Sequence, residues 1–230
     1  MSSEPVLYVA ATPIGNLDDV TPRLLETIGS VALVACEDTR VFGRLCARHS
    51  VSRPSLKAYH EHNERQLAAR VLEVLSAGDS VLLVSNAGTP LISDPGYKLV
   101  RAAIDNGIRV SPLPGPNAAI AALSASGLRV DRFAFVGFPP KKPGKLRNFL
   151  VRYKLFDGTL IFYESPHRVA KLTEACREVF GNCPAVVARE LTKMHEQFLR
   201  YDLDSLIRYL AAHKVRGECS LLVQNDVEPD

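Results

Sequence analysis

The sequence predicts an α/β protein of two domains, and three observations support this expectation. Short apolar runs of the kind found in buried strands alternate with helical patterns, which is typical of βαβ units and a mostly parallel sheet. Three turns rich in Gly and Pro each follow one of these runs. The chain has 230 residues, of which 47% are apolar and 23% charged, enough for one large core or two modest ones. We expect two.

The first half of the chain alternates strands with helices. Thr21 and Pro22 supply an N-cap and a first-turn proline for the first helix. Gly78, Gly107 and Gly127 are placed to end the three later helices. The predicted strands are residues 6–11, 31–36, 81–84 and 108–110, and the later predicted helices are residues 63–76, 97–106 and 118–126.

The second half repeats this alternation, and a hairpin or mixed sheet fits its strand spacing. Ser165 and Pro166 are predicted to cap a helix that reaches residue 180. The domain boundary is placed after residue 114, which gives domains of residues 1–114 and 115–230. The predicted strands are residues 133–138, 159–163, 185–188, 197–201 and 220–223, with a helix over residues 204–212.

The three Gly/Pro-rich turns occupy residues 12–16, 85–90 and 112–117. The carboxyl ends of parallel strands open into one crevice, where loops can present bare backbone to a ligand. Glycine permits close approach to the main chain, and proline fixes the turn before binding. The turns therefore predict a binding cleft, although ordinary connecting turns remain an alternative for any one of them.

Several common chemistries are excluded by missing motifs. No Gly-x-Gly occurs, so the dinucleotide fingerprint is absent, and residues 137–145 lack the spacing and hydroxyl residue of a P-loop. No Gly-x-Ser-x-Gly nucleophile elbow is present. His60 and His62 are candidate metal ligands without a clear third ligand, and solvated loop histidines are the favoured interpretation. We therefore expect no metal.

Cysteine usage and the absence of long apolar runs indicate a cytoplasmic protein. The five cysteines are odd in number, scattered and never in a Cys-x-x-Cys pair, so neither a disulfide framework nor a zinc site is expected. No basic region with a long apolar stretch follows the first Met, and no run approaches the roughly 20 residues of a membrane span. No export or membrane anchoring is expected.

A basic segment over residues 141–154 contrasts with a formal net charge of only +3. Lys and Arg neutralise phosphates, and the interleaved Phe149 and Tyr153 are of a type that stacks on unpaired bases, so the segment predicts contact with single-stranded RNA. The alternative is a solvated helix face with Phe149 and Leu150 in the core. The candidate RNA-binding residues are Lys141, Lys142, Lys145, Arg147, Arg152 and Lys154.

Seven short segments together carry a family resemblance: residues 12–17, 36–40, 59–64, 87–90, 93–97, 162–168 and 188–193. They resemble the signature motifs of the ribosomal RNA small subunit methyltransferase I family, within the tetrapyrrole methylase superfamily, and the likeness extends over nearly the whole chain. It implies two α/β domains with S-adenosylmethionine in the cleft between them, and a homodimer. It also implies methylation of a ribose 2′-hydroxyl on a cytidine in the decoding region of small-subunit ribosomal RNA or the 30S subunit.

The same resemblance implies a cofactor site made largely of backbone. Methyl transfer from a sulfonium is an in-line displacement with an activated leaving group, so the protein chiefly aligns the reactants and excludes water. The implied cofactor-binding residues are Pro13, Asn86, Ala87, Gly88, Pro116, Asn117, Phe162, Tyr163, Glu164, Gly217 and Glu218.

A ribose hydroxyl is a poor nucleophile, so a base or a charge that stabilises the developing oxyanion is expected. Polar residues at strand ends supply three candidates, Glu37, Glu190 and Lys193. Lys193 serves as a base if neighbouring cations or burial lower its pKa. Loop-holding ion pairs, Asp38 with Arg40 and Glu190 with Arg189, are the structural alternative, and residues 60–62 form a further polar cluster.

Two other functional classes remain open at this point. A methylase of a tetrapyrrole or another small biosynthetic intermediate would share the cleft and the cofactor but gives no reason for the basic segment. A non-catalytic ribosome-associated RNA-binding module would keep the basic segment but has no need of the cleft loops, and would not bind S-adenosylmethionine.

Overall fold

The chain divides into two compact units, Met1–Asn117 (unit 1) and Ala118–Asp230 (unit 2). The structure is a computed structural model that describes residues 4–52, 54–59 and 63–227. The division falls three residues after the boundary expected from the sequence. No helix among these described residues is long and apolar enough to cross a lipid bilayer.

Unit 1 is a five-stranded parallel sheet with helices on both faces. The strand order is β3-β2-β4-β1-β5, so β4, β1 and β5 are neighbours and end at the same edge. The strands are β1 Val6–Ala10, β2 Leu33–Cys36, β3 Ser55–Ala58, β4 Val81–Val84 and β5 Arg109–Leu113. The helices are α1 Pro22–Ser30, α2 Thr39–Arg48, α3 Glu64–Ser76 and α4 Tyr97–Asp105.

The central strands of unit 1 are apolar at every position because both faces of the sheet are covered. In β4, Leu83 packs with α3 and α4 on one face, and Leu82 packs with α1 and α2 on the other. The first helix begins as predicted, since the Thr21 hydroxyl accepts a hydrogen bond from the Leu24 amide at 3.2 Å.

Unit 2 contains a mixed five-stranded sheet, in agreement with the mixed-sheet expectation. The order is β6-β7-β10-β8-β9, and only β6 and β7 pair in parallel. Helices α6, α7 and α8 pack on one face, and α5 lies against β7 and β10. The strands are β6 Phe133–Gly137, β7 Gly158–Glu164, β8 Pro184–Arg189, β9 Gln197–Asp202 and β10 Cys219–Asn225. The helices are α5 Ala118–Ser124, α6 Pro143–Val151, α7 Val169–Phe180 and α8 Leu203–Ala212.

Three local features differ from the sequence-based expectations. Strand β3 and helix α2 were not predicted, because β3 is a largely exposed edge strand and α2 carries an arginine in each turn. The predicted cap of α7 is wrong. The helix begins at Val169 without a side-chain cap, and the carbonyl of Ser165, not its hydroxyl, accepts hydrogen bonds from the Arg168 and Val169 amides at 3.0 Å.

Candidate functional site

The three predicted turns of unit 1 are joined to one another by hydrogen bonds at the carboxyl edge of the sheet. Thr12, after β1, and Gly88, after β4, form an antiparallel bridge with two backbone hydrogen bonds of 2.9 Å. Thr89 donates from its hydroxyl to the Pro116 carbonyl, after β5, and accepts from the Asn117 amide nitrogen Nδ2, each at 3.2 Å. The loops after three neighbouring strands therefore form one connected rim.

The loop after β4 presents a main-chain N–H that is open to a ligand. The backbone N–H and carbonyl of Gly88 both bond to Thr12, so this glycine contributes its conformation, with φ of 79°, rather than free hydrogen-bonding groups. Ala87 is exposed, and its amide has no hydrogen-bond partner among the described residues. Of the three loop residues that the sequence assigns to cofactor binding, Ala87 is thus the one with an available main-chain donor.

Two carboxylates lie beside this loop. Glu37, directly after β2, accepts a hydrogen bond from the backbone N–H of Asn86 at 3.3 Å. A predicted catalytic residue and a predicted cofactor-binding residue are therefore in contact. Burial, assisted by the charge of Glu37 and opposed by a hydrogen bond from Ser85, raises the pKa of Asp94 to about 6. The sequence analysis did not single out Asp94, although the Ser93-Asp94-Pro95 turn contained it.

The raised pKa of Asp94 predicts a pH-dependent stability difference. Burial disfavours the carboxylate, so the folded wild type loses stability as the pH rises from about 4 to about 6. Asp94→Asn cannot ionise and escapes this loss. We expect the variant to gain about 1–3 kcal/mol over the wild type, small at pH 4 and full above pH 7, in thermal or urea unfolding. Asp79→Asn, at an exposed turn of the same unit, is the control, and a pH-independent difference for Asp94→Asn would contradict the assignment.

In unit 2, three predicted site residues form an ionic cluster around the loop after β8. Glu190 Oε1 accepts hydrogen bonds from Lys193 Nζ and from the Glu218 amide, each at 3.0 Å. Lys193 Nζ also lies 2.8 Å from Glu218 Oε2. Gly217 makes room for the cluster, because a Cβ at this position would overlap the Glu190 carboxyl group. The structure therefore brings Glu190, Lys193, Gly217 and Glu218 together.

The pKa of Lys193 moves in the opposite direction from the one a lysine base requires. Partial burial favours the neutral amine, but hydrogen bonds from the ammonium to Glu218 and Glu190 outweigh it and raise the pKa. The condition under which Lys193 serves as a base, a lowered pKa, is therefore not met, because its neighbours are carboxylates rather than cations. Lys193 remains protonated and is held in position by two carboxylates, so it is suited to stabilising negative charge on a substrate oxygen.

The other predicted cofactor residues of unit 2 lie at the end of β7. Phe162 is fully buried in the core, so its ring is not available to a ligand. The Tyr163 hydroxyl accepts a hydrogen bond from the Ala119 amide at 3.0 Å. The Glu164 side chain is 2% exposed, and its Oε1 accepts a hydrogen bond from the Ser165 amide. Its Oε2 lies 3.1 Å from Arg168 Nη2 and accepts no hydrogen bond from the described residues.

The basic segment is an exposed cationic surface without exposed stacking rings. Phe149 and Tyr153 pack against the core of unit 2 and against each other, with ring centroids 5.5 Å apart. The packing does not favour stacking of these rings on bases, and the core alternative holds for Phe149 and Leu150. All six predicted RNA-binding cations are exposed, and none forms an ion pair within the described residues. We call them the α6 basic surface.

Structural roles account for some of the remaining candidates. Arg40 and Asp38 form the expected ion pair, at 2.7 Å. Arg189 donates instead to Gln197 Oε1 at 3.0 Å and to the Arg216 carbonyl at 3.1 Å. The polar cluster of residues 60–62, including both candidate metal-ligand histidines, lies outside the described residues. The part of the chain that is described holds no group of three or more His, Cys, Asp or Glu that fits a metal ion.

Two α/β units, one with a connected rim of strand-end loops, define a class of fold found in methyltransferases of solved structure. The methyltransferase CobJ matches with a TM-score of 0.71 and 22% identity over 97% of this chain and 95% of that one. A uroporphyrin-III C-methyltransferase from Thermus thermophilus, complexed with S-adenosyl homocysteine, matches with a TM-score of 0.63 and 19% identity, covering 95% and 96% of the two chains. Residues 6–207 match the family Tetrapyrrole (Corrin/Porphyrin) Methylases.

Sequence relatives place the chain more closely within this class. A ribosomal RNA small subunit methyltransferase I from Mesorhizobium japonicum is 49% identical over 96% of this chain and 75% of its own length. Its counterpart from Pseudomonas aeruginosa is 48% identical over 99% of this chain and 82% of its own length. The counterpart from Bacillus subtilis is 41% identical over 98% of this chain and 77% of its own length. The chain belongs to the ribosomal RNA small subunit methyltransferase I family of the tetrapyrrole methylases.

Proposed function

We propose that this protein transfers a methyl group from S-adenosylmethionine to small-subunit ribosomal RNA, at the ribose 2′-hydroxyl of a cytidine in the decoding region. The observation that carries the proposal is the sequence identity of 41–49%, over nearly the whole chain, to relatives named ribosomal RNA small subunit methyltransferase I. The solved methyltransferases share 22% identity or less, so they support the fold rather than a tetrapyrrole acceptor. We also propose that the protein is a homodimer, and the molecular mass measured by analytical ultracentrifugation tests this.

The residues of unit 1 fit the donor chemically. The donor carries a sulfonium and an ammonium, and Glu37 and Asp94 place two carboxyl groups beside the open Ala87 peptide. When bound, S-adenosylmethionine supplies an activated methyl group. Pro13, Asn86, Gly88, Pro116 and Asn117 shape the rim around that peptide, and in unit 2 the proposed contacts are Phe162, Tyr163, Glu164, Gly217 and Glu218.

The chain's own residues provide the groups that a ribose hydroxyl requires. We assign Lys193 the role of stabilising negative charge as the hydroxyl loses its proton, since Glu190 and Glu218 hold it as a cation. Glu37 is the proposed proton acceptor, with Asp94 as its neighbouring acid. Glu190 positions Lys193 and fixes the Glu218 backbone through the same oxygen.

The direct test supplies radiolabelled S-adenosylmethionine with undermethylated 30S subunits, with free ribosomal RNA and with a uroporphyrinogen. Nuclease mapping and mass spectrometry then locate the methyl group. We expect label on the ribose of one cytidine in the 30S sample. Label on a base, on the porphyrin precursor or on none of the three acceptors would contradict the proposal.

Gly88→Val tests the rim as the donor site. A side chain at φ of 79° would project toward Ile14 and the Pro116 carbonyl, 3.4 and 3.8 Å from the added Cβ, and would disturb the joined loops. We expect donor affinity to fall at least about 10-fold, or ~1.4 kcal/mol, in calorimetry with S-adenosylhomocysteine. Gly107→Val has a similar φ of 70° and open space, and should bind normally. Equal binding by both variants would remove this loop from the site.

Charge reversal tests the α6 basic surface. Changing Lys141, Lys142 and Lys145 to Glu removes three unpaired cations from an exposed segment without altering the buried face of α6. We expect RNA affinity to fall and the slope of log affinity against log salt to decrease by about 2. Donor affinity should be unchanged, so loss of both affinities together would contradict a dedicated RNA surface.

A further inference from the structure

Unit 2 contains a cavity of about 320 Å³ that none of the roles above uses. It lies between the start of α7, the end of α8 and the segment that leads into β10. Its volume is at the lower end of the range of about 300–1,000 Å³ typical of small-ligand sites. The lining residues are Pro166, His167, Val169, Ala170, Leu210, His213, Lys214, Val215 and Arg216.

The lining divides into an apolar floor and a basic rim. The floor is formed by the five apolar residues, of which Val169 and Leu210 are buried. The rim consists of His167, Lys214, Arg216 and His213, all exposed, and none of the nine lining residues is acidic. We call this arrangement the cationic cavity. Its chemistry suits a ligand with one apolar face and a negative charge.

The two permanent cations of the rim are available for a ligand. Some arginines of unit 2 are held in ion pairs, as Arg177 is with Asp204 at 2.6 Å. Lys214 and Arg216 form no ion pair within the described residues. Two exposed cations next to an apolar hollow, without acidic neighbours in its lining, create a local positive potential that attracts anions.

Contacts within unit 2 hold parts of the rim in place. The His213 ring stacks on Tyr209, with centroids 4.3 Å apart and planes at 17°, and its Nδ1 lies 3.0 Å from the Tyr209 carbonyl. The Arg216 carbonyl accepts a hydrogen bond from Arg189, which anchors the residue before Gly217. These contacts fix the His213 ring and the Arg216 backbone in the rim, which lowers the ordering cost of binding.

We propose that the cationic cavity binds one nucleotide of the RNA substrate, with its phosphate on Lys214 and Arg216 and its ribose or base on the apolar floor. This inference rests on the proposed function. A phosphodiester supplies the negative charge and a nucleoside supplies the apolar face, a combination that neither inorganic phosphate nor an acidic side chain offers. None of the residues that line the cavity belongs to the α6 basic surface.

The test is the double variant Lys214→Ala with Arg216→Ala, measured by fluorescence anisotropy with an RNA fragment of the decoding region over a salt series. We expect affinity to fall roughly 10-fold or more and the salt slope to decrease by about 1–2. Lys171→Ala with Arg208→Ala, exposed cations of α7 and α8 outside the lining, is the matched control and should bind like the wild type.

Further measurements identify the ligand. Cytidine monophosphate should protect the wild type against thermal unfolding more than inorganic phosphate does, and the double variant should lose that difference. Unchanged RNA affinity in the double variant, or loss of S-adenosylhomocysteine binding instead, would overturn the proposal. Wild-type methyl transfer to 30S subunits is scored separately, so failure of the cavity proposal is distinguishable from failure of the proposed function.

Discussion

Gly217→Ala is expected to reduce methyl transfer by roughly 100-fold or more, because a Cβ at this position would overlap the Glu190 carboxyl group. Glu190 must then move away, and Lys193 and the Glu218 amide lose the oxygen to which both donate. The measurement is single-turnover methyl transfer to 30S subunits, with circular dichroism to verify the fold. Binding of S-adenosylhomocysteine, measured in parallel, reports on the proposed donor contacts at Gly217 and Glu218.

Gly181→Ala separates this overlap from backbone strain. Gly217 and Gly181 have φ of 85° and 80°, so an alanine is strained at both positions. At Gly181 the ψ of −170° adds to the strain, so an alanine there costs about 1–3 kcal/mol. No described atom lies within 4 Å of a Cβ added at Gly181. We expect Gly181→Ala to lose stability by that amount and to keep its activity. Similar activity losses in the two variants would assign the loss to backbone strain and contradict the predicted effect of displacing Glu190.

Lys193→Met is expected to lower the rate of methyl transfer by about 100- to 1,000-fold with a much smaller change in RNA affinity. The change removes the cation and leaves the Glu190 and Glu218 carboxylates, which both contact it, facing each other. Lys193→Arg keeps the charge and should retain more activity than Lys193→Met. Lys171→Met, at an exposed position of α7, is the control for loss of a lysine.

The pH dependence distinguishes a cation from a base at Lys193. Its pKa is raised in the folded protein, so the ammonium form and the stability it contributes are fully present below the ordinary lysine pKa and are lost only as the pH rises through the folded value. The wild type should therefore be active near pH 7 to 8. A rate limited by deprotonation of Lys193, increasing steadily toward strongly alkaline pH and absent in Lys193→Arg, would contradict the assignment.

The rim of unit 1 could be predicted from the sequence because its signals are local. Each of the three turns directly follows an apolar run, and the strand ends of a parallel sheet share one edge whatever the strand order. The strand order itself, which makes β4, β1 and β5 neighbours, depends on long-range pairing. The Thr12–Gly88 bridge and the Thr89 contacts follow from that order and carry no separate sequence signal.

Asp94 and Lys193 show where local reasoning fails. Asp before Pro is an ordinary turn pattern, so the burial that raises the pKa of Asp94 is invisible until the loop is folded. Lys193 has Glu190 three residues before it, but Glu218 lies 25 residues away along the chain. The sign of its pKa shift is set by both carboxylates and by partial burial, and only the tertiary structure brings these together.

The bridge between Thr12 and Gly88 joins two loops of unit 1 by the same backbone hydrogen bonds that join neighbouring strands. Loops that leave parallel strands usually fluctuate independently, but these two share reciprocal main-chain bonds, and opening one requires opening the other. The Thr12 and Gly88 amide hydrogens should exchange with deuterium as slowly as those of the sheet edge below them, even in protein free of small molecules, whereas the Ala87 amide should exchange fast. Unit 1 thus carries its rim as a permanent part of the sheet rather than as a lid.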